Sequence, residues 1–153
     1  MKHYKDVLNN ICAYESDGSQ DAFIKEGLVP ISDEDLAAMI APTTEQLLSQ
    51  LTAARKEQEQ QGVVINNIRY AGDPGNRQAL QESIAFMEDA GLTKFPKWKD
   101  SDGQFHVNHP LADATNAYRA IGERRAQLIA LEGEHAEQIT VGTLTDLNEV
   151  TWL

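Results

Sequence analysis

The chain has 153 residues, 41% of them hydrophobic but only 7% aromatic, with 13 Lys and Arg against 24 Asp and Glu and a formal net charge of −11. That length suits one domain, or a domain with a small appendage, and can bury a core without covalent staples. The acidic balance speaks against a nucleic-acid surface and against adsorption on anionic membranes, both of which need clustered Lys and Arg.

In residues 1 to 31 the apolar runs are short. Ile11-Cys12-Ala13-Tyr14 and Ala22-Phe23-Ile24 flank the Asp17-Gly18 pair, a turn signal because glycine takes positive φ without steric cost, and the expected element is a hairpin. Leu28-Val29-Pro30-Ile31 reads as a short extended piece, confined by its proline to an edge. Ser32 is placed to cap a helix whose first turn holds Asp33, Glu34 and Asp35 and which stops at Pro42. A second helix spans about 44 to 61, with Leu47, Leu48, Leu51 and Ala54 at helical spacing. Its end from Arg55 is charged all round, which suits a solvated surface or a stalk, and Gly62 closes it.

Val63-Val64-Ile65 and Ile68-Arg69-Tyr70 form either a tight hairpin or one bent strand around Asn66-Asn67. Asp73-Pro74 starts a helix as N-cap and N1 proline, and Gly91 ends it. Phe95, Trp98, Phe105 and Val107 flank Asp100-Ser101-Asp102-Gly103, the signature of a further hairpin. Pro110 opens the longest helix, in which Leu111, Ala114, Tyr118, Ile121, Leu128 and Leu131 make one apolar stripe. Val141-Gly142-Thr143 interrupts it, a short helix follows around Leu144 and Leu147, and Trp152 docks on the core. The fold class is thus α+β, helix-dominated, with one or two small antiparallel β-hairpins. Its expected parts are a hairpin and short-helix module at 1–41, a linking helix at 43–62 and an α+β domain at 63–153.

No stretch carries a catalytic constellation. Cys12 is the single cysteine, which rules out an internal disulfide, and it has no histidine near it in sequence to activate it. His106 and His109 are separated from Asp113 by the helix boundary at Pro110, so they read as surface or capping residues rather than metal ligands. Asp17-Gly18-Ser19 and Asp100-Ser101-Asp102-Gly103 lack the glutamate that closes a calcium loop. Gly72-Asp73-Pro74-Gly75-Asn76 lacks the Lys-Ser or Lys-Thr of a phosphate loop. Arg69 and Arg77 bracket Asp73, with Asp73, Glu82 and Glu88 as available partners, and Tyr70 and Trp98 suit one aromatic patch. The start Met1-Lys2-His3-Tyr4 leads into polar residues, unlike a signal peptide.

Two stretches carry a resemblance. Ala13-Tyr14-Glu15-Ser16-Asp17-Gly18-Ser19-Gln20-Asp21-Ala22-Phe23-Ile24, with Pro30-Ile31-Ser32-Asp33-Glu34, resembles the opening of small tail-fibre assembly proteins of tailed bacteriophages. Ile68-Arg69-Tyr70 with Asp73 and Arg77, through Trp98 and Asp102-Gly103 to Leu111, resembles an uncharacterised domain recurrent in phage tail proteins, which ends in a long alanine-rich helix. Where that domain often has an aromatic residue and a glycine before the strand, this chain reads Gly62-Val63-Val64-Ile65. The resemblance supplies no catalytic motif. It implies a non-enzymatic phage tail component or tail-fibre assembly factor that needs no cofactor and works by protein–protein binding. The implied partner is a tail-fibre or other tail protein, or a second copy of the chain, and not nucleic acid or membrane. The implied location is the host cytoplasm during assembly, or the virion tail. A small hydrolase acting on cell-surface material and a host-directed accessory binding protein are the alternatives. Tyr14, Phe23, Ile24, Leu47 and Leu51 are the expected partner-binding residues, because short apolar runs and a short helical seam lack an evident cover within their own segments.

Overall fold

The computed structural model describes residues 1–153 and divides into two compact units, Met1–Thr43 and Thr44–Leu153. The class is α+β, as expected, but with three hairpins rather than one or two. No helix is long and apolar enough to cross a membrane.

The first unit is a three-stranded antiparallel sheet followed by one helix. Strands β1 (Lys2–Lys5), β2 (Ile11–Tyr14) and β3 (Val29–Ile31) are ordered β2-β1-β3. Pro30 sits on the edge strand β3 opposite Tyr4, where its missing N–H costs no ladder bond on the solvent side. The expected hairpin across Asp17-Gly18 is not formed. β2 pairs with β1 instead, in the register Lys2↔Tyr14 to Lys5↔Ile11, and Ala22-Phe23 lies in a 3-10 turn, Asp21–Phe23. The hairpin turn is made by Asp6, whose carboxylate accepts from the backbone of Leu8 at 2.8 Å and of Asn10 at 2.9 Å, while Asn9 takes a φ of +62°. Asp17-Gly18 is still a turn, closed by Ser19 N–H donating to Asp17 at 2.9 Å, but it leads into the 3-10 turn. Helix α1 (Asp33–Ile40) starts where Ser32 Oγ accepts from the Asp35 N–H at 3.0 Å.

The second unit is built around its longest helix. It contains α2 (Thr44–Gln61), the hairpin β4 (Val63–Ile65) and β5 (Ile68–Tyr70), α3 (Pro74–Asp89), the hairpin β6 (Lys94–Lys99) and β7 (Phe105–Pro110), and α4 (Leu111–Thr140). Asn66 and Asn67 resolve the open choice in favour of a tight hairpin. Both have positive φ, 50° and 63°, the condition for a two-residue turn whose twist matches the strands. Asp73 caps α3 by accepting from Gly75 and Asn76, with Pro74 in the first turn. α4 runs through Gly122 and Gly133 without a break.

One cluster joins Tyr70, Leu80, Ile84, Met87, Phe95, Ala114, Ala117 and Ile121, with Trp98 and Tyr118 packed against it. A second joins Leu47 and Leu51 of α2 to Ile139 and Leu144, and the tail residues Leu147, Val150 and Trp152 lie on it. Leu128, which the stripe places with Ile121, is fully buried but belongs to neither cluster. α2 is therefore not a linker between two bodies. It packs along α4 and shares a core with the C-terminal tail.

The polar end of α2 is likewise not solvated all round. Glu59 pairs with Arg55 one turn away, with Arg77 of α3 at 3.5 Å and with Arg125 of α4 at 3.4 Å. Arg55 also meets Glu132 at 2.5 Å, and Thr52 Oγ1 donates to the same carboxylate at 2.6 Å. Two glycines let the chain close here. A Cβ on Gly72 would lie 2.0 Å from the Glu59 carbonyl oxygen, and one on Gly62 would lie 1.8 Å from that of Tyr70. The Gly72 stretch is thus a packing contact between the end of α2 and the start of α3.

Candidate functional site

The expected partner-binding residues fall into two groups. Leu47 and Leu51 are buried in the second cluster and offer no surface; the short seam on α2 is covered by the chain's own α4 and tail, which only the tertiary fold brings there. Tyr14, Phe23 and Ile24 belong to the first unit. Phe23 is 72% exposed, Ile24 is half-buried, and Tyr14 is half-buried edge-to-face against Tyr4, with ring centroids 5.6 Å apart.

These three belong to a wider pattern. No residue of 1–43 is buried. Seven large apolar side chains are exposed in that unit, namely Met1, Val7, Leu8, Ile11, Phe23, Val29 and Ile40, against eight in the much longer second unit. Val7 and Leu8, at 92% and 77% exposure, form the tip of the Asp6 turn. A small sheet with free edges and no buried residue is marginal alone in water, so this display of apolar side chains suits a surface completed by another chain. The sequence reading missed Val7 and Leu8 as turn residues because an apolar pair without glycine carries no turn signal; Asp6 and Asn9-Asn10 were the available cue.

The second unit holds an aromatic and imidazole box. In a regular strand, residues three apart face opposite ways. Here Phe95 and Trp98 both face inward, as do His106 and His109. The phase flips where Pro96 stands across from Asn108, whose φ is +54°, between the pairs Phe95↔His109 and Lys97↔Val107. The outer face then shows Lys97, Lys99, Phe105 and Val107, with Lys99 Nζ 5.7 Å above the Phe105 ring.

His109 is not a surface or capping histidine: it is 2% exposed and shares a 2.7 Å hydrogen bond with the Tyr70 hydroxyl. Burial lowers its pKa, with His106 adding to that and Asp113 opposing it, so the ring stays neutral. Burial, helped by Asp113 and Asp100, pushes the Tyr70 phenol up to about 12. His106 instead bonds Asp100 at 2.8 Å. That contact, with the Gln104 and Asp102 N–H groups, holds the Asp100 carboxyl below the usual carboxylate range. The two histidines thus have separate partners, and no group of three or more His, Cys, Asp or Glu is placed to hold a metal ion.

Arg69 and Arg77 do not use Asp73, Glu82 or Glu88. Arg69 pairs with Asp102 at 2.7 Å and donates to the Ser101 carbonyl at 3.1 Å, fastening β5 to the β6–β7 turn. Arg77 donates to the Gly72 carbonyl at 2.7 Å as well as meeting Glu59. Tyr70 and Trp98 do form one patch, with centroids 5.9 Å apart. A cleft of about 150 Å³ opens beside them, lined in part by Arg69, Asn76, Lys99 and Ser101.

Residues 42–151 match a family model described as Domain of unknown function (DUF4376), and the chain belongs to that family. The match coincides with the second unit and leaves out the first almost entirely. No curated protein and no solved structure matches the chain.

Proposed function

We propose that this family member is a phage tail component or tail-fibre assembly factor that acts by protein–protein binding, without catalysis, through residues 1–43. The observation that carries the reading is the absence of any buried residue in a unit that displays seven large apolar side chains. Such a surface is larger in apolar content than a free module needs, and burying it on a partner is the favourable outcome. The resemblance of residues 13–34 to tail-fibre assembly proteins supplies the kind of partner: a tail-fibre or other tail protein met in the host cytoplasm during assembly. The net charge of −11 keeps the unpartnered chain from self-adhesion before docking.

The test is affinity capture of a co-expressed tail-fibre protein by the full-length chain and by Phe23→Asp and Leu8→Asp. Both positions are exposed, so the variants should melt within about 0.5 kcal/mol of the parent while losing the partner. Light scattering on the same samples distinguishes a second copy of the chain from a different protein as the cover. Capture that survives both substitutions sinks the assignment to residues 1–43.

A further inference from the structure

Five of the six arginines, Arg55, Arg77, Arg119, Arg124 and Arg125, belong to α2, α3 and α4, and Glu59 and Glu132 are the only side-chain carboxylates paired with any of them. The three helices together remain acidic, but Arg77, Arg119 and Arg125 gather into one locally basic patch. It opens onto a groove of about 460 Å³ between α3 and α4, lined by Arg77, Arg119, Arg125, Tyr118, Gln78 and Gln81, with no acid in its wall. Glu59, behind the groove, orients two of these guanidinium groups, and Arg77 is further fixed by the Gly72 carbonyl. Arg119 is exposed and makes no ion pair. Gly122 leaves the α4 side of the groove bare, since a Cβ there would meet nothing within 4 Å.

We propose that this groove receives the carboxylate side chains of an acidic, extended segment of another protein. Guanidinium groups held by a buried carboxylate are preorganised donors for carboxylates, and amides and a tyrosine beside them suit a polypeptide backbone. The groove lies open to solvent along α3 and α4, unlike the enclosed pockets that bury most of a small ligand. A polyphosphate chain would carry many charges into the field of a strongly acidic protein, whereas a short acidic segment meets the arginines with few. This surface lies wholly on the second unit and does not depend on residues 1–43.

Fluorescence anisotropy with the full-length protein tests the proposal. The probes are a short fluorescein-labelled peptide of alternating Glu and Ser, the same peptide with Lys for Glu, and a labelled single-stranded oligonucleotide. The Glu peptide should bind and the Lys peptide should not. Arg119→Glu should weaken binding on the order of tenfold or more, the scale of a lost charge-assisted hydrogen bond. Gly122→Leu, which fills the groove and leaves every arginine in the sequence, should weaken it as well, while Lys97→Glu on the far hairpin should leave it unchanged. Melting curves identify any variant that fails to fold, and the other variant then decides. Glu-peptide binding that is absent, or that persists in both groove variants, overturns the proposal. So does tighter binding of the oligonucleotide, or full competition by inorganic phosphate at equal concentration.

Discussion

The two units use the same hairpin turn and end up in opposite states. In the first, Asp6 N–H donates to the Asn10 carbonyl at 3.1 Å and Asn9 N–H to the Asp6 carbonyl at 3.0 Å. In the second, Asp100 and Gln104 make the first of these bonds at 2.9 Å, and Gly103 and Asp100 the second at 3.1 Å. Each aspartate then accepts from the N–H groups two and four residues on. Yet the Asp100 turn closes over an aromatic box, while the Asp6 turn lifts Val7 and Leu8 into solvent. A turn sets register, but what lies under the sheet decides whether it becomes a core. In the second unit α4 lies under both hairpins, and the first unit has no helix of that length.

If α2 is part of the second unit's core, its removal is the largest perturbation available. A fragment of residues 44–153 should melt cooperatively, and one of 63–153, lacking Leu47, Leu51 and Glu59, should not. Circular dichroism melts of the two fragments check this, and a sharp transition in the shorter one would restore α2 as a linker. Next come single core positions. Ile121→Ala and Leu128→Ala should each cost about 2–5 kcal/mol in urea unfolding. Ile40→Ala and Val7→Ala, in the unit without buried residues, should each stay within about 0.5 kcal/mol.

The box offers a smaller effect with a pH signature. Tyr70→Phe leaves His109 Nε2 buried without its partner and should cost about 1–3 kcal/mol. Because His109 titrates below its ordinary value of 6.5 when folded, the unfolded chain binds its proton first. The stability that follows from a neutral buried ring is complete above pH 6.5 and is lost as the pH falls through the lowered value. Urea midpoints measured across that interval should therefore drop more for the parent than for His109→Phe, and parallel curves would remove His109 from the account. The smallest expected change is Asn9→Gly, which relieves a positive φ of 62° in the first turn and should shift stability by no more than about 0.5 kcal/mol.

Much of this architecture was legible in residue order, wherever the governing physics is local. Ser32 and Asp73 cap their helices because a short polar side chain reaches the free N–H groups of the first turn. Gly62 and Gly91 end theirs because a positive φ is cheap for glycine, and the stripe from Ala114 to Leu128 marks the buried face of α4. What the sequence did not disclose depends on contacts between distant segments. Lys2–Lys5 has no apolar pattern and is a central strand only because β2 and β3 pair on either side of it. Leu47 and Leu51 look like an open seam until the tail beyond Gly142 folds over them. His106 and His109 face one way only because Asn108 and Pro96 reverse the pleat together. Arg77, Arg119 and Arg125 are scattered along 49 residues of sequence and become one groove only when α3 and α4 pack, since charge adds up through space and not along the chain.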